Sequence, residues 1–151
     1  MSDLRERIWD VVARSCQFLD DEEYGRYLDL LDDEFTYTIS YYSPDLRKDM
    51  VLLQHTKKEL AILTDNIKNH VRLSGRLFRQ AHLYQVNGGD GAFDATSYLT
   101  VVHTDQDGIS RLFCVGRYLD RVAANETAVR LISRHVRMDT RDIGPGCHFP
   151  L

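Results

Sequence analysis

The sequence is short of cysteine, short of proline and without a long apolar run. Its three cysteines, Cys16, Cys114 and Cys147, stand far apart with no Cys-x-x-Cys spacing. That excludes a disulfide framework and points to reduced thiols in the cytoplasm. No apolar stretch approaches the roughly 20 residues that a membrane span needs, and the first residues, Met1 to Arg7, hold no apolar signal core. Positive charge is not in excess: 19 Lys and Arg stand against 23 Asp and Glu, a net charge of −4. A phosphate-binding partner wants a basic stripe, so neither nucleic acid nor a membrane is an expected partner. There is no GxGxxG, GxxxxGK[ST] or GxSxG motif. The glycine-rich Gly88-Gly89-Asp90-Gly91 joins one strand pattern to another, with no helix N-terminus behind it to hold a phosphate.

What the chain does have is a run of long strands in its second half. Gln80–Val86, Ala92–Thr104, Ser110–Ala123 and Thr127–Thr140 are separated by turn clusters at Asn87–Gly91, Asp105–Gly108 and Ala124–Glu126. Asn-Gly and Asp-Gly supply the positive φ that hairpin turns require. Strands of about a dozen residues are twice the usual length and must bend. Earlier in the chain, Leu4, Ile8, Val11, Val12, Ser15, Phe18 and Leu19 follow helical spacing, with Ser2 as a cap, and predict a helix over Asp3–Leu19. Asp20 and Glu23 open a second short helix, Asp21–Leu31. Glu34–Tyr42 alternates, Phe35, Tyr37, Ile39 and Tyr41 against Thr36, Thr38 and Ser40, and reads as a half-buried strand. Ser43-Pro44 resembles a capped helix start, and Leu46, Met50, Leu53, Leu60, Leu63, Ile67 and Val71 extend a helical pattern to about Asn69, with a break near Thr56 or Thr64. The expected fold is α+β, one domain over residues 1–151, with a strongly bent antiparallel sheet wrapped around N-terminal helices as a cone.

Chemistry-bearing motifs are few. His55, His70, His82, His103, His135 and His148 form no HxH, HxxxH or HExxH pair, so no metal is expected in this chain. Cys147-His148 is adjacent rather than spaced, and a second such pair is lacking, which does not suit an iron–sulfur ligand set of the Cys₂His₂ kind. A cone can hold a pocket, and Tyr37, Tyr41, His103 and Asp139 are the candidates for an acid/base set there, as in a standalone isomerase or dehydratase, or a small-ligand binder. The competing reading uses the Tyr, Arg and His content of the long strands. Tyr84, Tyr98, Arg117, Tyr118, Arg121, Arg134 and His135 are the candidates for a polar-aromatic sheet face that packs against other subunits, since interfaces are enriched in Tyr and Arg.

Several segments carry a resemblance. Phe18-Leu19-Asp20-Asp21, then Tyr27 through Tyr37 with its Leu30-Leu31-Asp32-Asp33, form one. Arg79-Gln80-Ala81-His82 running to Val86 forms a second, and Phe113-Cys114-Val115-Gly116-Arg117-Tyr118-Leu119-Asp120 a third. The tail from Arg137-Met138-Asp139 through Phe149-Pro150-Leu151 forms the last. In this order the chain resembles the small (β) subunit of bacterial aromatic-ring-hydroxylating dioxygenases of the benzoate, anthranilate and salicylate type. It departs from that pattern at Ser74–His82, where the usual Pro-x-Ser-Arg-x-Arg-His run is degraded. The resemblance implies a cone fold of the nuclear-transport-factor-2-like kind. It also implies a non-catalytic role in an α3β3 hexamer, with self-association as a trimer. The large α subunit is then the partner that carries a Rieske [2Fe-2S] cluster and a mononuclear iron, fed from NADH through a reductase.

Overall fold

The computed structural model describes residues 2–67, 74–143 and 150–151. Asn69, His70, Val71, Cys147, His148 and Phe149, which figure in the sequence reading, lie outside them. Helix α1 (Ser2–Asp20) and the short α2 (Tyr24–Asp29) come first. Strands β1 (Leu31–Ser43) and β2 (Lys48–Thr56) form a hairpin, and α3 (Lys57–Asp65) follows. Strands β3 (Arg76–Gly89), β4 (Ala92–Thr104), β5 (Ser110–Ala124) and β6 (Val129–Met138) form an antiparallel meander. The six strands lie in one sheet of order β2-β1-β6-β5-β4-β3. Every neighbouring pair is antiparallel except β1 and β6, which run parallel.

The turns form for local reasons. Asp90 and Gly91 both take positive φ, 56° and 82°, which suits a two-residue hairpin turn. The Asp105 carboxylate accepts from the Asp107 and Ile109 amides, and the Asn125 side-chain carbonyl accepts from those of Thr127 and Ala128. Those amide bonds hold the Asp105 carboxyl below its usual pKa. At Gly116 a Cβ would sit 2.3 Å from the Arg137 carbonyl oxygen on β6, so only glycine lets the two strands approach there. Each β-ladder pair carries a register irregularity, and such bulges bend a sheet.

The bent sheet closes over the helices. Helix α1 lies against β3, β5 and β6, burying Ile8, Val11, Val12, Cys16, Phe18 and Leu19. Each such apolar side chain contributes about 1.5–3 kcal/mol by leaving water. The sheet's inner face supplies Phe35, Tyr37, Ile39, Ala95, Leu99, Val101, Val122, Leu131 and Val136 to the same core. Cys16 and Cys114 are both buried.

One element differs in kind from the sequence reading. The helical pattern from Pro44 breaks down: residues 44–47 are a turn, and Lys48–Thr56 is the edge strand β2. The cause lies in the register. Ile39 pairs with Leu53 and Ser40 with Val51, so Leu52 is an extra residue in a bulge. That insertion turns the half-buried spacing from Met50 to Leu53 into three residues, which imitates a helix. The helix begins only at Lys57, with Thr56 as its N-cap. There a complete capping box forms: the Thr56 hydroxyl accepts from the Glu59 amide at 3.2 Å, and the Glu59 carboxylate accepts from the Thr56 amide at 3.0 Å. The second helix is also shorter than Asp21–Leu31, and β1 begins at Leu31 rather than Glu34.

Candidate functional site

Strand alternation gives the sheet two chemically different faces. On the outer face, β-ladder partners place His82 beside Tyr98, Tyr98 beside Arg117, and Arg117 beside Arg137. Tyr84 and Tyr98 stack with ring centroids 4.3 Å apart, and the Arg117 guanidinium lies 5.6 Å from the Tyr98 ring centre. Arg121 pairs with Asp94 at 3.0 Å. The His135 Nε2 and Ser40 Oγ are 2.5 Å apart, and burial pulls the His135 pKa below 6.5. Tyr98 is 51% exposed, Leu119 36% and Leu112 63%. Tyr84, Tyr98, Arg117, Arg121 and His135 therefore share one outer face.

Tyr118 and Arg134 do not belong to that face. Both point inward and are fully buried. Arg134 faces Asp120 directly across β5 and β6, and two hydrogen bonds of 2.8 and 2.9 Å join guanidinium to carboxylate. Arg134 also donates to the Ser15 hydroxyl on α1 at 2.9 Å and lies 3.7 Å from the Tyr118 ring centre. Burial alone lowers the Arg134 pKa, but the Asp120 charge outweighs it and the net direction is strongly upward. The Cys16 thiol lies 3.8 Å from the Tyr118 hydroxyl. Burial raises the pKa of Tyr118, and lifts Tyr27 to about 12. Both carboxylate oxygens of Asp120 are occupied, so this cluster offers no free acid or base.

The four pocket candidates do not meet. Tyr37 is in the core, where its hydroxyl accepts from the Leu151 amide at 2.7 Å. Tyr41 is half-buried further along β1, and Asp139 is exposed past the end of β6. His103 is on β4, with β5 and β6 between it and β1. His103 does line a cleft of about 400 Å³ at the end of α1, with Asp20, Asp21, Tyr24, Arg76 and Arg79. Its acids are engaged there: Asp20 pairs with the buried Arg79 at 2.7 Å and Asp21 with Arg76 at 3.5 Å. Burial raises the Asp20 pKa in spite of Arg79.

Sequence reasoning missed the Asp120–Arg134 pair, although half of its signal was available. Neighbouring strand residues alternate faces, so Arg117 and Tyr118 cannot share one, nor can Arg134 and His135. The other half was hidden, because the bulge between Arg121 and Val122 sets Asp120 opposite Arg134.

Among the described residues the histidines do not come together as an iron centre. His135 meets Ser40, His103 meets the Ser74 carbonyl, and His82 meets Trp9 edge-on at 6.3 Å. Among the described residues no group of three or more His, Cys, Asp or Glu side chains is placed to hold a metal ion. No helix among them is long and apolar enough to cross a membrane.

No family model matches the chain. Two curated proteins do. Over 145 residues it is 29% identical to the 2-aminobenzenesulfonate 2,3-dioxygenase subunit beta of an Alcaligenes species, covering 95% of this chain and 97% of that one. Over 160 residues it is 29% identical to the methanesulfonate monooxygenase hydroxylase subunit beta of Methylosulfonomonas methylovora, covering 99% and 88%. Among solved structures it is similar to the beta subunit of an aromatic-ring-hydroxylating dioxygenase from Novosphingobium aromaticivorans, with a TM-score of 0.79 at 23% identity and coverage of 95% and 94%. The fold is thus the nuclear-transport-factor-2-like cone, and the resemblance to oxygenase beta subunits, carried first by the chain's own motifs, holds along nearly its whole length.

Proposed function

We propose that this chain is the small, non-catalytic subunit of the terminal oxygenase in a multicomponent Rieske non-haem iron system. Its work is architectural. The observation that carries this is the closed interior, where Arg134 takes both oxygens of Asp120 and the core around them is packed. An isomerase or dehydratase needs an acid or base open to substrate, and the four pocket candidates lie apart. End-to-end similarity to two beta subunits supports the same reading.

In this account the outer face of Tyr84, Tyr98, Arg117, Arg121 and His135 packs against other subunits. The chain associates as a trimer and seats three large α subunits in an α3β3 hexamer. Cyclic trimers use heterologous contacts, so each subunit presents two different patches to its neighbours. The Rieske cluster and mononuclear iron belong to the α subunit, and NADH supplies electrons through a reductase. The assembly works in the cytoplasm, where thiols such as that of Cys16 stay reduced. The complex oxidises a small aromatic acid or hydrocarbon. Both curated relatives are oxygenase subunits named for sulfonates, which supports trying organic sulfonic acids first.

The test is co-expression with a large subunit that carries Cys-x-His and Cys-x-x-His pairs. The expected result is a stable complex whose NADH-dependent oxygen uptake needs both chains. Turnover of a substrate by the purified small chain alone, without iron or NADH, overturns the proposal.

A further inference from the structure

The β1–β2 hairpin runs past the body of the sheet. Strand β6 pairs with β1 only as far as Tyr41 and Met138, while β1 and β2 stay paired to Ser43 and Lys48. Among the described residues, 42–49 therefore form a two-stranded arm at a corner of the sheet. A hairpin alone is marginal in water unless something packs on it. This one is held in shape at both ends. At the tip the Leu46 amide donates to the Ser43 hydroxyl at 3.3 Å, and Arg47 takes a positive φ of 53°. At the base Asp49 pairs with Arg137 at 3.2 Å. The arm nonetheless holds apolar side chains in water: Leu46 is 59% exposed and Tyr42 44%. Asp45 is exposed beside them, and among the described residues no cation pairs with it. The outer face of the sheet carries the opposite charge pattern. Arg121 and Arg137 are matched there by Asp94 and Asp49, whereas the Arg117 guanidinium meets only the Tyr98 ring among the described residues. Further along the same face, Phe78 and Leu112 flank Val102 in one ladder row, and both are exposed.

We propose that the arm of one copy of this chain docks on the outer face of the next, with Asp45 on Arg117 and with Leu46 and Tyr42 against the exposed apolar side chains. This rests on the trimeric subunit reading above and names the two patches that the ring uses. A cyclic trimer needs two unlike patches on every copy, each fitting the other. The arm and the face are unlike, opposite in charge where they are unpaired, and apolar around that charge. The arm is already shaped, so docking it costs little ordering. Two arms meeting tip to tip would set Asp45 against Asp45, which disfavours a two-fold pair in place of the ring.

The test follows self-association of the full chain by sedimentation velocity over a dilution series, together with capture of the large subunit. Where the parent forms trimers only with the large subunit present, the same series is read on the complex. Asp45→Arg and Arg117→Asp each set like charges together, and each should raise the concentration at which the trimer dissociates at least about ten-fold. Leu46→Ser should weaken it by a similar factor. The double variant, with the two charges exchanged, should recover most of the loss. Recovery requires a folded chain, so it also separates lost docking from a misfolded single variant. A parent trimer that neither single charge variant weakens, or a double variant as weak as the singles, overturns the docking and leaves the subunit reading standing. Loss of large-subunit capture with an intact trimer assigns the arm to the large subunit and overturns the proposal. A parent that stays monomeric and captures no large subunit overturns both.

Discussion

The inner and outer faces of the sheet use the same residue types to opposite ends. Inside, Arg134, Tyr118 and Asp120 are fully desolvated and locked to one another and to Ser15. Outside, Arg117, Tyr98 and Asp94 are stacked or paired but wet, with Tyr98 about half exposed. A buried ion pair is weak grounds for stability by itself, yet removing one partner strands the other charge. An exposed pair contributes little to folding, while exposed Tyr and Arg are the side chains that dominate interfaces. Side-chain identity therefore says less than face. The inward set fixes which strands sit where, and the outward set is the one that the proposed assembly would use.

The sharpest way to break this contrast is Asp120→Ala. It leaves Arg134 buried without a counter-charge and should cost about 3–5 kcal/mol in urea unfolding. A loss under about 1 kcal/mol, the range of an exposed pair, would show that the interior is wetter than the packing indicates. The outer face should behave in reverse. Tyr98→Ala with Arg117→Ala should change the chain's own stability by no more than about 0.5 kcal/mol per site. In a pull-down with the large subunit the same double variant should lose more than about 1 kcal/mol of affinity. A variant that unfolds the chain yet assembles normally would reverse the roles of the two faces.

A smaller effect separates His135 from both. Burial lowers its pKa in the folded chain, so the unfolded chain takes up a proton near pH 6.5 while the folded chain resists. Stability from this group is present above that pH and declines as pH falls below it. His135→Gln should flatten the slope of unfolding free energy between neutral pH and about pH 5 relative to the parent chain. Identical slopes would mean that the imidazole is as solvated as in a peptide.

The sequence displayed most of this architecture, because the meander announces itself. Asp90-Gly91, Asp105 and Asn125 are turn residues with definite hydrogen-bonding or positive-φ roles, and the strands between them fall close to where alternation puts them. Helix α1 was legible from its apolar stripe. Strand β2 was not, because the Leu52 bulge makes its half-buried residues follow helical spacing and because an edge strand is fixed by the neighbour it pairs with. The outer-face residues were legible as a group, yet Tyr118 and Arg134 were grouped with them by composition when parity assigns them to the core. The burial of Leu151 left no trace at all, since nothing local says that a tail turns inward.

The most direct measurement is chemical footprinting of tyrosines in the dilute chain and in the complex with its large subunit. Tyr98 should react readily in the free chain and several-fold more slowly in the complex, while Tyr37 and Tyr118 stay unreactive in both. A complex that forms with Tyr98 as reactive as before, or a free chain in which Tyr118 labels as fast as Tyr98, would contradict the division between a sealed inner face and a docking outer one.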